Sequence, residues 1–167
     1  PPKQRSHNRS FIKESPWSRV VEEASQGWEL RKGLIRKIEG RLKGKVIVYF
    51  SSFYDEDAMM SDKDAEMIES ILAVEHSGGK IILVLNSAGG SGLAAERIVN
   101  VCRSYSEEQF EVIVPHMAKS AATLICFGAS RIHMSPTAEL GPVDPQVKYK
   151  NDATGENLIQ KNGTTSL

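Results

Sequence analysis

A mixed α/β fold, with a mostly parallel sheet flanked by helices, is what this sequence predicts, and three observations carry it. The short apolar runs KVIVYF (45–50), KIILVLN (80–86) and FEVIVP (110–115) have the length and β-branched content of strands covered on both faces. Between them lie segments whose apolar residues recur at helical spacing. The links are short, so helix and strand alternate in the order that favours parallel neighbours and right-handed crossovers.

Taken in order, residues 17–43 read as a helix with Leu34, Ile35, Ile38 and Leu42 at helical spacing, although Gly27 and Gly33 weaken its first half. The 45–50 strand runs into the polar loop SSFYDEDAMM. Ser61 and Asp64 then form a capping-box-like start, with Asp in place of the usual Glu. The helix that follows, to about Glu75, sets Ala65, Ile68 and Leu72 on one face. His76-Ser77-Gly78-Gly79 is a turn into the 80–86 strand. SAGGSG (87–92) breaks that strand and opens a helix whose apolar face is Ala94, Ile98, Val101 and Cys102. Pro115 ends the 110–115 strand. Residues 120–129 then form a short helix, 131–135 a short strand, and PTAELGPVDPQ a proline-punctuated loop. The expected division is a disordered basic arm at 1–16, an α/β domain at 17–147 and a polar, mobile tail at 148–167. The arm holds Lys3, Arg5, Arg9 and Lys13 with no acid before Glu14.

A chain of 167 residues can bury a core without disulfides or metals. Its 21 basic and 21 acidic residues balance, so no overall field draws it to nucleic acid or an anionic membrane. Cys102 and Cys126 both sit in apolar patterns, read as buried thiols of a reducing, cytoplasmic protein. No Cys or His pair has metal-ligand spacing, and neither metal nor cofactor is expected. The longest apolar run, residues 81–85, falls far short of the ~18 residues that a membrane span needs. No stretch has the make-up of a secretory signal. The chain opens on Pro-Pro and closes on the polar QKNGTTSL, as a piece trimmed from a longer chain would.

Two loops carry the chemistry. Parallel sheets bind ligands beyond the carboxyl ends of their strands, and SAGGSG and HMAKS follow neighbouring strands at that edge. Gly89-Gly90 lets the backbone approach a ligand closely and present N–H groups to negative charge. Gly90 to Ala95 also fits GxGxxA, the dinucleotide fingerprint. The acid that should follow at the end of the next strand is missing, since Glu111 lies at its beginning. Ser120 opens the next helix. Alone it would read as an ordinary N-cap. As a nucleophile it would sit in the field of the helix dipole, with the Ala121 N–H as one oxyanion donor and Gly89 or Gly90 as the other.

NSAGGSGLAA followed about thirty residues later by AKSAATLICFGA resembles the ClpP/crotonase superfamily, which implies a spiral of β-β-α units. SSFYDEDAMMSDKDAEMIESIL, AAERI, KSAATL and ELGPVDPQ resemble the serine dehydrogenase proteinase family, relatives of signal peptide peptidase A. The likeness runs over about residues 44–147. It implies a serine peptidase with Ser120 as nucleophile, an oxyanion hole of Gly89, Gly90 and Ala121, a peptide or protein substrate and a homo-oligomeric assembly.

The general base is less legible. No histidine stands near Val143-Asp144, where ClpP peptidases would place it; His133 reads as structural, and His116 would need the chain to fold back. Signal peptide peptidase relatives use a lysine instead. Lys148, Lys150 and above all Lys161, 41 residues after Ser120, are the candidates, although a base lysine needs a dry pocket and these sit in polar sequence. A residue beyond this chain or from a neighbouring subunit is a further possibility. The other functional readings are a ClpP-like scaffold that has lost catalysis and binds peptides or partners, and a crotonase-type acyl-CoA enzyme.

Overall fold

A computed structural model describes residues 16–53, 58–75, 78–107, 109–143, 146–150 and 157–161, with side chains described only between 27 and 143 of these. Apart from Pro16, the expected basic arm lies outside the described residues. The chain divides after Arg41 into two compact units. The first holds nearly all of α1 (Pro16–Leu42), where Lys32 pairs with Glu29 at 3.2 Å and sits 5.0 Å over the Trp28 ring.

The second unit contains β1 (Lys45–Phe50), α2 (Asp62–Glu75), β2 (Ile81–Asn86), α3 (Gly92–Tyr105) and β3 (Phe110–Val114). It continues through β4 (Met117–Ala118), α4 (Ala121–Gly128), β5 (Arg131–Met134), β6 (Glu139–Leu140), β7 (Gln146–Lys150) and β8 (Asn157–Lys161). Four strands form one parallel sheet in the order β1-β2-β3-β5, with Leu83 of β2 beside Ile47 of β1 and Val112 of β3. The fold class expected from the alternating runs is therefore the observed one. β2 is buried at every position except its last, as its unbroken apolar run implied.

Alternate residues of the strands feed one core. Ile81, Leu83, Leu85, Phe110, Val112 and Val114 are buried with Ile68 and Leu72 of α2, Ile98 and Cys102 of α3, and Ile125 of α4. α2 packs on α3, and α3 on α4. The start of α2 uses the expected Ser61–Asp64 pair: the Asp64 carboxylate accepts the Ser61 N–H at 2.7 Å and its hydroxyl at 3.0 Å. Tyr49 lies beside that carboxylate; burial first, and Asp64 second, push its phenol up to about 12.

The second layer was not foreseen. β4 and β6 pair in parallel as a small sheet, which Ser87 extends through a bridge to Ala118. After β2 and again after β3, the chain makes a short strand-like step in this layer before entering its helix. Two-residue strands have no periodicity to read, so the sequence could not announce them. β7 and β8 form an antiparallel hairpin with Gln146 opposite Lys161, in sequence where no strand was expected.

Candidate active site

Ser87 joins the two loops. Its N–H donates to the Met117 carbonyl at 3.1 Å and its own carbonyl accepts the Lys119 N–H at 3.0 Å. The Asn86 side-chain carbonyl takes the Met117 N–H at 3.2 Å. SAGG and HMAKS are thus zipped together at the carboxyl edge of β2 and β3.

Gly89 lies against the start of α4. A Cβ added there would come 2.6 Å from the Lys119 carbonyl, 2.8 Å from the Ser120 Cβ and 3.1 Å from the Ala121 nitrogen. Its φ of 103° is also closed to side chains, so glycine is required on two counts. The Gly89 N–H donates to the Ser87 hydroxyl at 3.0 Å, and its carbonyl accepts the Met60 N–H at 2.9 Å. Among the described residues no peptide bond is cis, and in a trans peptide the N–H points opposite to the C=O. The Gly90 N–H is therefore directed away from Met60, and it has no acceptor among the described residues. This separates the two glycines. Gly90 has an N–H to offer, whereas that of Gly89 is committed to Ser87.

Ser120 stands at the N-cap position of α4 with φ 49° and ψ −122°, outside the wells open to L-residues, and its side chain makes no capping hydrogen bond. The Ala122 and Thr123 N–H groups are taken by the Lys119 and Ser120 carbonyls at 3.0 and 2.9 Å. The Ala121 N–H has no acceptor among the described residues. A strained residue persists only when its surroundings overdetermine it. Here the buried Thr123 hydroxyl reaches the Ala118 carbonyl at 2.9 Å and the Gly141 carbonyl at 3.1 Å, tying α4 to both short strands. The Gly141 N–H also bonds the Ala118 carbonyl at 2.8 Å.

Several ionisable groups of this unit have other partners. Lys119 pairs with Glu139 at 2.6 Å, and that hydrogen bond holds the Glu139 carboxyl below its ordinary range. His133 meets Glu111 at 2.7 Å across the main sheet, where Glu111 also takes Lys80 at 3.3 Å. His116 is exposed, and its carbonyl accepts the Glu139 N–H at 2.9 Å. Burial pushes the Cys102 and Cys126 thiols up to about 12 and about 11, which keeps them protonated and unreactive. Lys161 closes β8 opposite Gln146, and Lys148 and Lys150 lie on β7. The side chains of all three, and Asp144 altogether, lie outside the described residues.

Sequence reasoning missed Ser87, Met60 and Thr123. Only Ser87 carried any signal, as the small polar residue that ends a buried strand ahead of Gly-Gly.

The chain belongs to the family of ClpP-like SDH-type serine proteinases, whose pattern matches residues 24–166. It is also similar to two uncharacterized proteins of Methanocaldococcus jannaschii. The first, MJ0137, is 39% identical over 85 residues, which are 51% of this chain and 29% of that protein. The second, MJ1495, is 34% identical over 85 residues, with the same shares of the two chains. The matched stretch thus spans less than a third of these relatives.

Proposed function

We propose that the protein is a serine endopeptidase that cleaves peptide bonds with Ser120 as nucleophile and the Gly90 and Ala121 N–H groups as oxyanion donors. One observation carries this reading. Ser120 is held at positive φ at a helix start with its hydroxyl released from capping, and the Ala121 N–H beside it and the Gly90 N–H of the adjoining loop are taken by no described residue. A residue whose job was only to cap would adopt an extended backbone and bond the first turn.

In the reaction, the Ser120 oxygen attacks the scissile carbonyl while a base removes its proton. The carbonyl oxygen becomes an oxyanion, which the Gly90 and Ala121 N–H groups and the positive end of α4 stabilise. Collapse of the tetrahedral intermediate expels the amine, which takes up the proton, and water then hydrolyses the acyl-serine. Lys161, 41 residues after Ser120 and the last residue of β8, is the candidate base; to act it must be desolvated enough to lose its proton. A base from a neighbouring subunit of a homo-oligomer is the alternative source. Peptide or protein is the substrate class. The two buried cysteines without a disulfide support a cytoplasmic setting. Among the described residues, no helix is long and apolar enough to cross a membrane.

The test is covalent labelling by a fluorophosphonate together with hydrolysis of a quenched peptide library. Labelling at Ser120 that vanishes in Ser120→Ala, with the fold intact, supports the reading. A folded protein that neither labels nor cleaves would instead support the scaffold that binds peptides, and binding of CoA thioesters would support the acyl-CoA enzyme.

A further inference from the structure

We propose that Ser87, with Ser51 behind it, is a positioning residue that pins the Ala88–Gly89 peptide with its N–H turned onto the Ser87 hydroxyl, beside the Gly89–Gly90 peptide whose N–H is the donor; this rests on the peptidase reading. The turn at 89–90 has two successive residues without side chains, at φ 103° and 146°. Nothing intrinsic to such a turn prevents a peptide plane from rotating. A rotated plane would present a carbonyl where an oxyanion must form, which is repulsive instead of stabilising.

Three hydrogen bonds oppose that rotation. The Met60 N–H holds the Gly89 carbonyl at 2.9 Å, and the Met60 carbonyl holds the Ser91 N–H at 2.9 Å. Both are main-chain bonds that any residue at 60 except proline would supply. The third, from the Gly89 N–H to the Ser87 hydroxyl at 3.0 Å, is the one that needs a particular side chain. Ser87 is fully buried and bonded through its main chain to both Met117 and Lys119, so its oxygen cannot wander. Ser51 donates its hydroxyl to the same oxygen at 2.7 Å, and its own N–H is anchored on the Asn86 carbonyl at 3.0 Å. The Ser51–Ser87–Gly89 chain therefore runs from the end of β1, beneath the turn, to the peptide next to Ser120. It holds the Gly89 N–H on Ser87, while the Met60 bond to the Gly89 carbonyl orients the Gly90 N–H as the donor.

The test uses the full chain with Ser87→Ala and Ser51→Ala. Two readouts are taken: amide hydrogen exchange at Gly89 against Leu83 and Val112, and the kinetics of fluorophosphonate labelling and peptide cleavage. For Ser87→Ala, protection at Gly89 falls about tenfold or more while the core amides keep theirs. Acylation and kcat fall about tenfold, below the loss for deleting a donor outright, and KM stays within about twofold. Ser51→Ala moves the same quantities in the same direction by about threefold. Unchanged Gly89 exchange in both variants overturns the proposal, as does uniform loss of protection with kcat per labelled serine unchanged, the signature of a merely structural serine. A wild-type protein that resists labelling while Gly89 exchange still responds to Ser87→Ala would overturn the peptidase reading and uphold the pin on the turn.

Discussion

Two serines open neighbouring helices in this protein, and they do opposite things. Ser91 enters α3 from an extended backbone, φ −66° and ψ 121°, and its hydroxyl accepts the Ala94 N–H at 3.3 Å. Ser120 enters α4 at φ 49° and caps nothing. The first is a cap that contributes stability. The second gives up the capping bond and takes on backbone strain, which is reasonable only if the released hydroxyl and the free first-turn N–H have another use. A serine at a helix start is therefore defined by its backbone, which residue type alone does not reveal.

The sharpest way to break this contrast is Ser120→Ala. It should lower peptide cleavage by about 10⁴-fold or more and abolish labelling, with the thermal unfolding midpoint little changed. Labelling that survives would move the nucleophile elsewhere. Gly89→Ala should be the next largest, since its Cβ meets the Lys119 carbonyl and the Ser120 Cβ at a φ closed to alanine. It should cost about 3 kcal/mol in urea unfolding and also slow labelling.

Ser120→Gly tests the strain directly. It should be inactive yet more stable by about 1 kcal/mol, because glycine accepts this φ without penalty. A loss of stability would mean that the serine is not strained. Ser91→Ala should do the reverse: it loses about 1 kcal/mol of stability while the labelling rate of Ser120 stays at the wild-type value. Glu111→Gln, remote from both helix starts, is the mildest change. Burial alone would raise the Glu111 carboxyl, but hydrogen bonds from His133 and Lys80 outweigh it and hold the carboxyl below its ordinary range. A lowered folded value contributes stability above the unfolded one, and this is lost as pH falls through the folded value. The variant should accordingly show a flatter acid limb below about pH 4 in its profile of Tm against pH, and unchanged cleavage at neutral pH.

Much of the fold was legible because its long strands and helices speak through side-chain pattern. KVIVYF, IILVLN and FEVIV became β1, β2 and β3 at almost the expected bounds, and Ala65, Ile68 and Leu72 of α2 are buried as their spacing implied. β4 and β6 escaped because two residues hold no pattern, and the β7–β8 hairpin because its residues are mostly polar. The parts of the candidate site, Ser120, Ala121 and the two glycines, were all named from the motifs. The choice between Gly89 and Gly90 was not. It depends on a main-chain bond from Met60, about thirty residues earlier, and on the Ser87 hydroxyl that takes the Gly89 N–H.

By itself, then, the sequence determined the parallel α/β layout and brought a Gly-Gly turn and a serine to one strand edge, because hydrophobic periodicity and strand order act through local composition. The tertiary structure decided the rest: which glycine N–H no described residue takes, that Ser120 does not cap α4, and that Lys119 and His133 belong to Glu139 and Glu111. Those choices are made by hydrogen bonds between segments far apart in the chain, and such bonds exist only once the strands have been laid side by side.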